Sequence, residues 1–414
     1  MTERNWAGNI SYSAGEVAHP ASRTELRDLV RAAPAVRVLG SRHSFNRIAD
    51  TAGLLVSTAD LPAHVDIDED RRIARVSGGM RYGEVAGALQ NAGWALGNLA
   101  SLPHISVAGA IATGTHGSGD RNRSLAGAVA GVELLTADGD IRMLRRGDPG
   151  FEGAVVSLGA LGVVLDVELD IEPTYEVAQT VYERVAWDDL LGDLPAVTSL
   201  GYSVSLFTTW RDPALVDQVW VKARTDAAPA PERLLGALPA SGPRHPLPGV
   251  SAESCTVQGG VPGPWLDRLA HFRLEFTPSQ GEELQTEYFV ARSDAADAIR
   301  ALRPLADRIA PLLFVNEVRT IAADELWLSG AQGRETVGLH FTWRPDQPAV
   351  EALLPAIEDA LAPFAPRPHW GKVFTMPADV IRSRYERWGD FATLRADLDP
   401  RRVFVNPFLE ALGL

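Results

Sequence analysis

Three sets of residues in this sequence have the types and spacing to hold an anion or move a proton. The first is Val36-Arg37-Val38-Leu39-Gly40-Ser41-Arg42-His43-Ser44-Phe45-Asn46, an apolar run that ends in a tight turn. Successive backbone N–H groups and small side chains there can form an anion nest for a pyrophosphate, and Arg42 adds a positive charge. The second runs from Ser101-Leu102-Pro103-His104-Ile105-Ser106-Val107-Ala108-Gly109 through Thr113-Gly114-Thr115-His116-Gly117 to Gly119. Few large side chains interrupt it, so its backbone can approach a ligand closely. Taken alone, each stretch also reads as a glycine-rich turn at a sheet edge. The third set is Glu317-Val318-Arg319, His340-Phe341-Thr342-Trp343 and His369-Trp370-Gly371-Lys372. Residues two apart share one face of a strand, so Glu317 points with Arg319 and His340 with Thr342, while Val337, Leu339, Phe341 and Trp343 take the packing face. Polar groups directed together from two strands suit a ligand with several hydroxyls, because a carboxylate accepts from them and guanidinium and ammonium groups donate. The alternative is a surface pair of Glu317 and Arg319 beside an exposed His340.

Several common signatures are absent. Gly371-Lys372 is followed by Val373, so there is no phosphate loop ending in Gly-Lys-Ser/Thr, and no G-x-G-x-x-G follows a strand. No G-x-S-x-G elbow occurs either. A cofactor must therefore be held some other way. Two histidines, His104 and His116, and one remote Cys255 make a poor zinc set, so no metal is expected. The single cysteine also excludes an intramolecular disulfide. With 39 basic and 53 acidic residues the net charge is −14, which argues against a nucleic-acid partner. The first residues show no basic segment followed by an apolar run, and no apolar stretch approaches the roughly 20 residues that span a bilayer. The expectation is a soluble cytoplasmic protein acting on a small molecule, away from membranes.

These residues need a scaffold. In the first part of the chain Ala35–Leu39, Leu54–Ser57, His64–Asp68, Arg72–Val76, Val129–Thr136, Asp140–Leu144 and Gly162–Ile171 read as strands, with Tyr82–Ala92 as a helix closed by Gly93. Strands outnumber helices and are not spaced as strand–helix–strand units, which predicts an α+β fold rather than a doubly wound sheet. The stretch from Ala227 to Pro264 is rich in proline and glycine and reads as a long excursion within a second domain. Beyond it, Leu284–Arg292, Ser293–Ile309, Leu313–Ile321, Thr336–Trp343, Pro348–Leu361 and Lys372–Thr375 read as β-α-β-β-α-β, a ferredoxin-like antiparallel layout.

The two small-residue stretches in combination resemble the vanillyl-alcohol oxidase family of FAD enzymes. Within that family, Asn46, the Ser101–Gly109 segment, Glu317-Val318-Arg319, His340-Phe341-Thr342-Trp343 and His369-Trp370-Gly371-Lys372 resemble the alditol (xylitol) oxidases. The likeness runs from Asn5-Trp6-Ala7-Gly8-Asn9 to Asn406-Pro407-Phe408. It implies a two-domain fold: an FAD-binding domain over 1–172, a substrate cap over 173–370, and a segment 371–414 returning to the active site. It implies FAD bound covalently through His43 and contacted by Val38, Leu39, Gly40, Ser41, Arg42, Ser44, Ser101, Ser106, Gly109, Thr113, Gly114, Thr115, His116 and Lys372, with His104 in turn structure and cofactor contact. Many family members have glycine at the position of Arg42, and arginine is costly there if the backbone needs a positive φ. Around an alditol the resemblance sets Ser101, Glu317, Arg319, His340, Thr342 and Lys372. His340 is then expected as base, its ordinary pKa suiting neutral operation, with Arg319 and Lys372 stabilising an alkoxide and Glu317 orienting hydroxyls. The implied reaction is that of a monomeric oxidase of xylitol, sorbitol or glycerol, passing electrons to O2 and releasing H2O2. A dehydrogenase or aldonolactone oxidase of the same fold, and a noncatalytic flavin- or polyol-binding protein, remain as alternatives. The small Ala100 before Ser101 leaves oxygen access open.

Overall fold

Val337, Leu339, Phe341 and Trp343 are completely buried on one side of the strand Thr336–Trp343, while His340 and Thr342 project from the other. The same alternation recurs along the neighbouring strands, and it is what makes one face a core and the opposite face a site. The computed structural model describes residues 3–276 and 282–414. Its main sheet has eight strands in the order Gly263–Pro264, Glu176–Ala186, Leu215–Arg224, Ser203–Thr208, Leu313–Ile321, Thr336–Trp343, Leu284–Ala291 and Arg367–Pro368, every neighbouring pair antiparallel. The last four of these strands, with the helices Ala295–Leu302 and Gln347–Leu361 packed on each other, make the ferredoxin-like layout. The other four continue the same sheet.

A second, five-stranded antiparallel sheet runs Val65–Asp68, Ile73–Ser77, Val163–Asp170, Val129–Leu135 and Ile141–Arg145. A small parallel sheet of Val17–Ala18, Leu54–Ser57 and Val36–Leu39 carries the first glycine-rich turn at its end. One continuous apolar cluster joins residues of both large sheets. The molecule is α+β, as its strand spacing predicts.

Three local expectations are corrected. Ser293–Ile309 is not one helix: it splits into Ala295–Leu302, a 3-10 turn at Arg303–Leu305, and Ala306–Ile309. Pro304 lies at the break, where it removes a helix donor and restricts the residue before it. Lys372–Thr375 is not a strand; the sheet closes with Arg367–Pro368, and the chain then turns with Lys372 N–H donating to His369 O at 3.1 Å. The second glycine-rich stretch is not all turn, because Val107–Ala112 forms a short helix within it.

Candidate active site

The turn after Val36–Leu39 meets that short helix through small residues. A Cβ on Gly40 would lie 2.3 Å from Ser106 Oγ, so only glycine allows the approach. Two hydrogen bonds then lock the stretches together: Ser41 N–H donates to Ser106 Oγ at 3.3 Å, and Ser106 N–H donates to Ser41 Oγ at 3.1 Å. Arg42 does adopt the left-handed conformation, with φ 65°, and pairs with Glu3. His43 stacks on Trp6 with ring centroids 4.8 Å apart, and its Nδ1 lies 3.0 Å from Ser41 O. Burial draws its pKa down to about 4, so the imidazole is neutral near pH 7. The turn is braced from the far end of the chain, since Asn46 Nδ2 donates to Trp370 O and Lys372 O and Phe45 N–H to Gly371 O.

From this turn a cleft of about 270 Å³, partly open to solvent, extends to the polar face of the eight-stranded sheet. Val38, Leu39, Gly40, Ser41, Arg42, His43, Ser44, Ser101, Ser106, Gly109, Thr113, Thr115, His116, Glu317, Arg319, His340, Thr342 and Lys372 all line it. Two expected contacts do not. Gly114 is buried away from the cleft and shapes a turn with φ +70°, and His104 bonds Leu274 O instead.

At the sheet end the register sets Glu287, His340 and Glu317 directly opposite one another on adjacent strands. They are not a surface pair, for Glu317 and Arg319 are 4% and 5% exposed. Arg319 bridges the two acids, with Nη2 3.1 Å from Glu287 Oε1 and Nε 3.5 Å from Glu317 Oε2, while Nη1 donates to Ser101 Oγ at 3.3 Å. Lys372 Nζ donates to Glu287 Oε2 at 2.6 Å, and His116 Nε2 meets Glu287 Oε1 at 3.0 Å. Gly338 makes room for this, since a Cβ there would sit 2.9 Å from Glu287 Oε1. Thr342 faces Gln285 across the strand pair. His340 Nδ1 is 3.6 Å from Glu317 Oε2, and neither ring nitrogen has a hydrogen-bond partner.

Burial alone would raise both carboxyls, but Lys372, His116 and Arg319 hold Glu287, and Arg319 and His271 hold Glu317, well below the usual carboxylate range. Burial, helped by the charge of Lys372, draws His340 down to about 4. The expectation of an ordinary imidazole pKa for His340 is thus corrected: it is neutral over a wider range and a weaker base. Glu287 and His271 line the cleft and are residues that the motifs did not point to. For Glu287 a signal existed, because alternation along Leu284–Ala291 sets Gln285 and Glu287 on one face.

Residues 15–145 match the family model described as FAD binding domain, and residues 273–412 match that of D-arabinono-1,4-lactone oxidase. The chain is 51% identical over 411 residues to an alditol oxidase of a Streptomyces species, covering 99% of this chain and 98% of that one. It is 29% identical over 438 residues to the L-gulono-1,4-lactone dehydrogenase of Mycobacterium tuberculosis, covering 98% and 97%. Among solved structures, cholesterol oxidase from B. sterolicum matches with a TM-score of 0.82 at 14% identity, covering 99% of this chain and 96% of that one, a likeness of fold alone. No helix among the described residues is long and apolar enough to cross a membrane.

Proposed function

This chain belongs to the alditol oxidase family of FAD-dependent enzymes, and from that premise we propose that it oxidises the terminal CH–OH of an alditol to an aldose, with electrons passing to O2 to give H2O2. One observation carries the reading: two ionised carboxylates, a guanidinium, an ammonium and an unpartnered neutral imidazole share one wall of a cleft whose other end is a small-residue cradle. The cradle suits FAD. Gly40, Ser41, Ser106 and Gly109 line that end of the cleft with small side chains, which lets a diphosphate approach closely, and a half-buried neutral His43 at the cleft wall suits attachment of the flavin through a histidine nitrogen. Val38, Leu39, Thr113 and Thr115 line the same end. Bound flavin supplies a hydride acceptor that can be reoxidised by oxygen.

The chain's own residues do the rest. His340 takes the hydroxyl proton: Nδ1 faces Glu317 Oε2 at 3.6 Å, and Nε2, with no hydrogen-bond partner, keeps a lone pair for that purpose. Arg319 and Lys372 stabilise the alkoxide as it forms, and being tied to Glu287 they need not reorganise to do so. Ser101, Glu317 and Thr342 orient the remaining hydroxyls. The same reading makes residues 1–172 the FAD domain, 173–370 the cap and 371–414 a returning segment that delivers Lys372. It also takes the enzyme to be a cytoplasmic monomer, which gel filtration of the native protein tests for oligomeric state.

The test has two stages. After acid denaturation the yellow chromophore stays with the polypeptide, and His43→Ala releases it; free colour from the wild-type protein defeats the covalent link. Anaerobic addition of xylitol, sorbitol or glycerol then bleaches the flavin band, and on admitting air one H2O2 appears per alditol consumed. The aldonolactone dehydrogenase or oxidase reading draws on the match of residues 273–412 and on the mycobacterial relative. Reduction by an aldonolactone but by no alditol, or a peroxide yield near zero, would favour it.

A further inference from the structure

Behind the cleft wall a lysine and a histidine stand in line with Glu317. Lys222 lies on Leu215–Arg224, with one strand between it and the strand of Glu317, and is 1% exposed. It does not line the cleft. Its Nζ donates to Leu269 O, to Ala270 O at 3.2 Å and to His271 Nδ1 at 3.0 Å. Three acceptors match the three N–H bonds of an ammonium group. His271 is itself buried, and its Nε2 lies 2.7 Å from Glu317 Oε1. Phe207 and Trp220 meet its ring edge-on at 5.5 and 5.3 Å and fix the ring plane. The other Glu317 oxygen faces Arg319 Nε and His340 Nδ1 at 3.5 and 3.6 Å.

Burial draws the Lys222 ammonium down to about 7, with Glu317 favouring its charged form, and no carboxylate hydrogen-bonds it. None of the roles assigned above uses it. Burial and the charge of Lys222 draw His271 down to about 4, so its imidazole is neutral and carries one proton whose position a partner must decide. We propose that Lys222 and His271 are a positioning pair for Glu317: the N–H that Lys222 donates to Nδ1 keeps the imidazole proton on Nε2, which holds Oε1 and turns Oε2 toward the substrate hydroxyls. The inference rests on reading Glu317 as the carboxylate that orients the alditol.

The test compares anaerobic flavin reduction by xylitol in wild type, Lys222→Met, His271→Leu and His271→Gln, after flavin content per polypeptide is measured. A glutamine amide can donate to Glu317 with no partner to set its tautomer. Lys222→Met and His271→Leu are expected to slow the limiting rate by about 10-fold, a modest loss of the alignment that positioning groups provide. His271→Gln recovers most of that loss, and adding Lys222→Met to it costs less than twofold. Single variants at the wild-type rate, a glutamine variant as slow as the leucine one, or an undiminished Lys222→Met effect in the glutamine background overturn the pair. A readout independent of turnover is 15N NMR of histidine-labelled wild-type holoenzyme, with His271 assigned by its absence in His271→Gln. Protonation on Nε2 supports the pair; protonation on Nδ1, or on both nitrogens, overturns it. A wild type that no alditol reduces would sink the substrate reading, while the histidine spectrum still decides the pair.

Discussion

A buried imidazole with both nitrogens unpartnered, as His340 is, gives up two hydrogen bonds in the free protein and regains them only when a ligand arrives. Replacing it by alanine is expected to slow anaerobic flavin reduction by about 10²-fold, the usual size of an acid–base contribution. Near-normal single-turnover reduction would remove it from that role. The pH dependence follows from its environment. Lys372 and Arg319 on the cleft wall disfavour the imidazolium, Glu317 and Glu287 favour it, and burial decides, leaving the folded pKa at about 4. The base form is therefore present above that value and lost as pH falls through it. The acid limb of flavin reduction in the free enzyme should lie near 4, and a limb near the ordinary histidine value would contradict the burial argument. Gly338 offers a steric test. Gly338→Ala puts a methyl 2.9 Å from Glu287 Oε1 and 3.4 Å from His116 Cε1, so alditol affinity should fall about 10-fold or more while flavin content holds. Unchanged saturation kinetics would show that Glu287 has room to move.

Among the elements, the paired glycine-rich stretches are the most exposed to a single change. Gly40→Ala drives a Cβ to 2.3 Å from Ser106 Oγ, and the serine can yield only by giving up its bond to Ser41 N–H. Flavin content per polypeptide should fall in that variant, with thermal stability of the apoprotein reduced by no more than about 1–3 kcal/mol. Full flavin loading would mean that the contact is not needed. How legible these elements were varied with the range of the forces that make them. Leu313–Ile321 and Thr336–Trp343 keep their expected bounds, the second because Val337, Leu339, Phe341 and Trp343 make an unbroken apolar face, the first although Asn316 and Thr320 interrupt the face opposite Glu317. The site face follows from the same period, which is why Glu317, Arg319, His340 and Thr342 could be singled out from sequence. Glu287 obeys that period too, but its three partners come from positions 116, 319 and 372, and no local pattern encodes such separations. Lys222 and His271 were illegible for the same reason. The helix Val107–Ala112 was hidden by length, since six small residues carry no amphipathic signature.

At the scale of the whole molecule, burial of neutral histidines makes stability depend on acidity. His271 and His340 are drawn down to about 4, and His116 and His369 are lowered as well. The unfolded chain binds their protons near pH 6.5, the folded one only well below that, so stability is lost as pH falls from about 6.5 toward 4. Asp324, raised to about 6 by burial, and Asp267, raised as well, act the other way, but His43 and His245 join the lowered histidines, which outnumber them. The unfolding midpoint of the apoprotein should therefore be lower at pH 5 than at pH 7.5; an equal or higher midpoint would refute the buried-neutral account. The long-range braces have a further consequence, for the order in which the protein can be made. Arg37 Nη1 donates to Phe404 O at 2.7 Å, and Asn406 Nδ2 caps the carbonyls of Arg47, Ile48 and Asp50. Together with Asn46 and Phe45 on residues 370–372, these contacts mean that the walls around His43 are unfinished until residues 370–406 have folded against them. A chain truncated before residue 370 should therefore emerge colourless although Gly40, Ser41, His43 and Ser106 are all present in it.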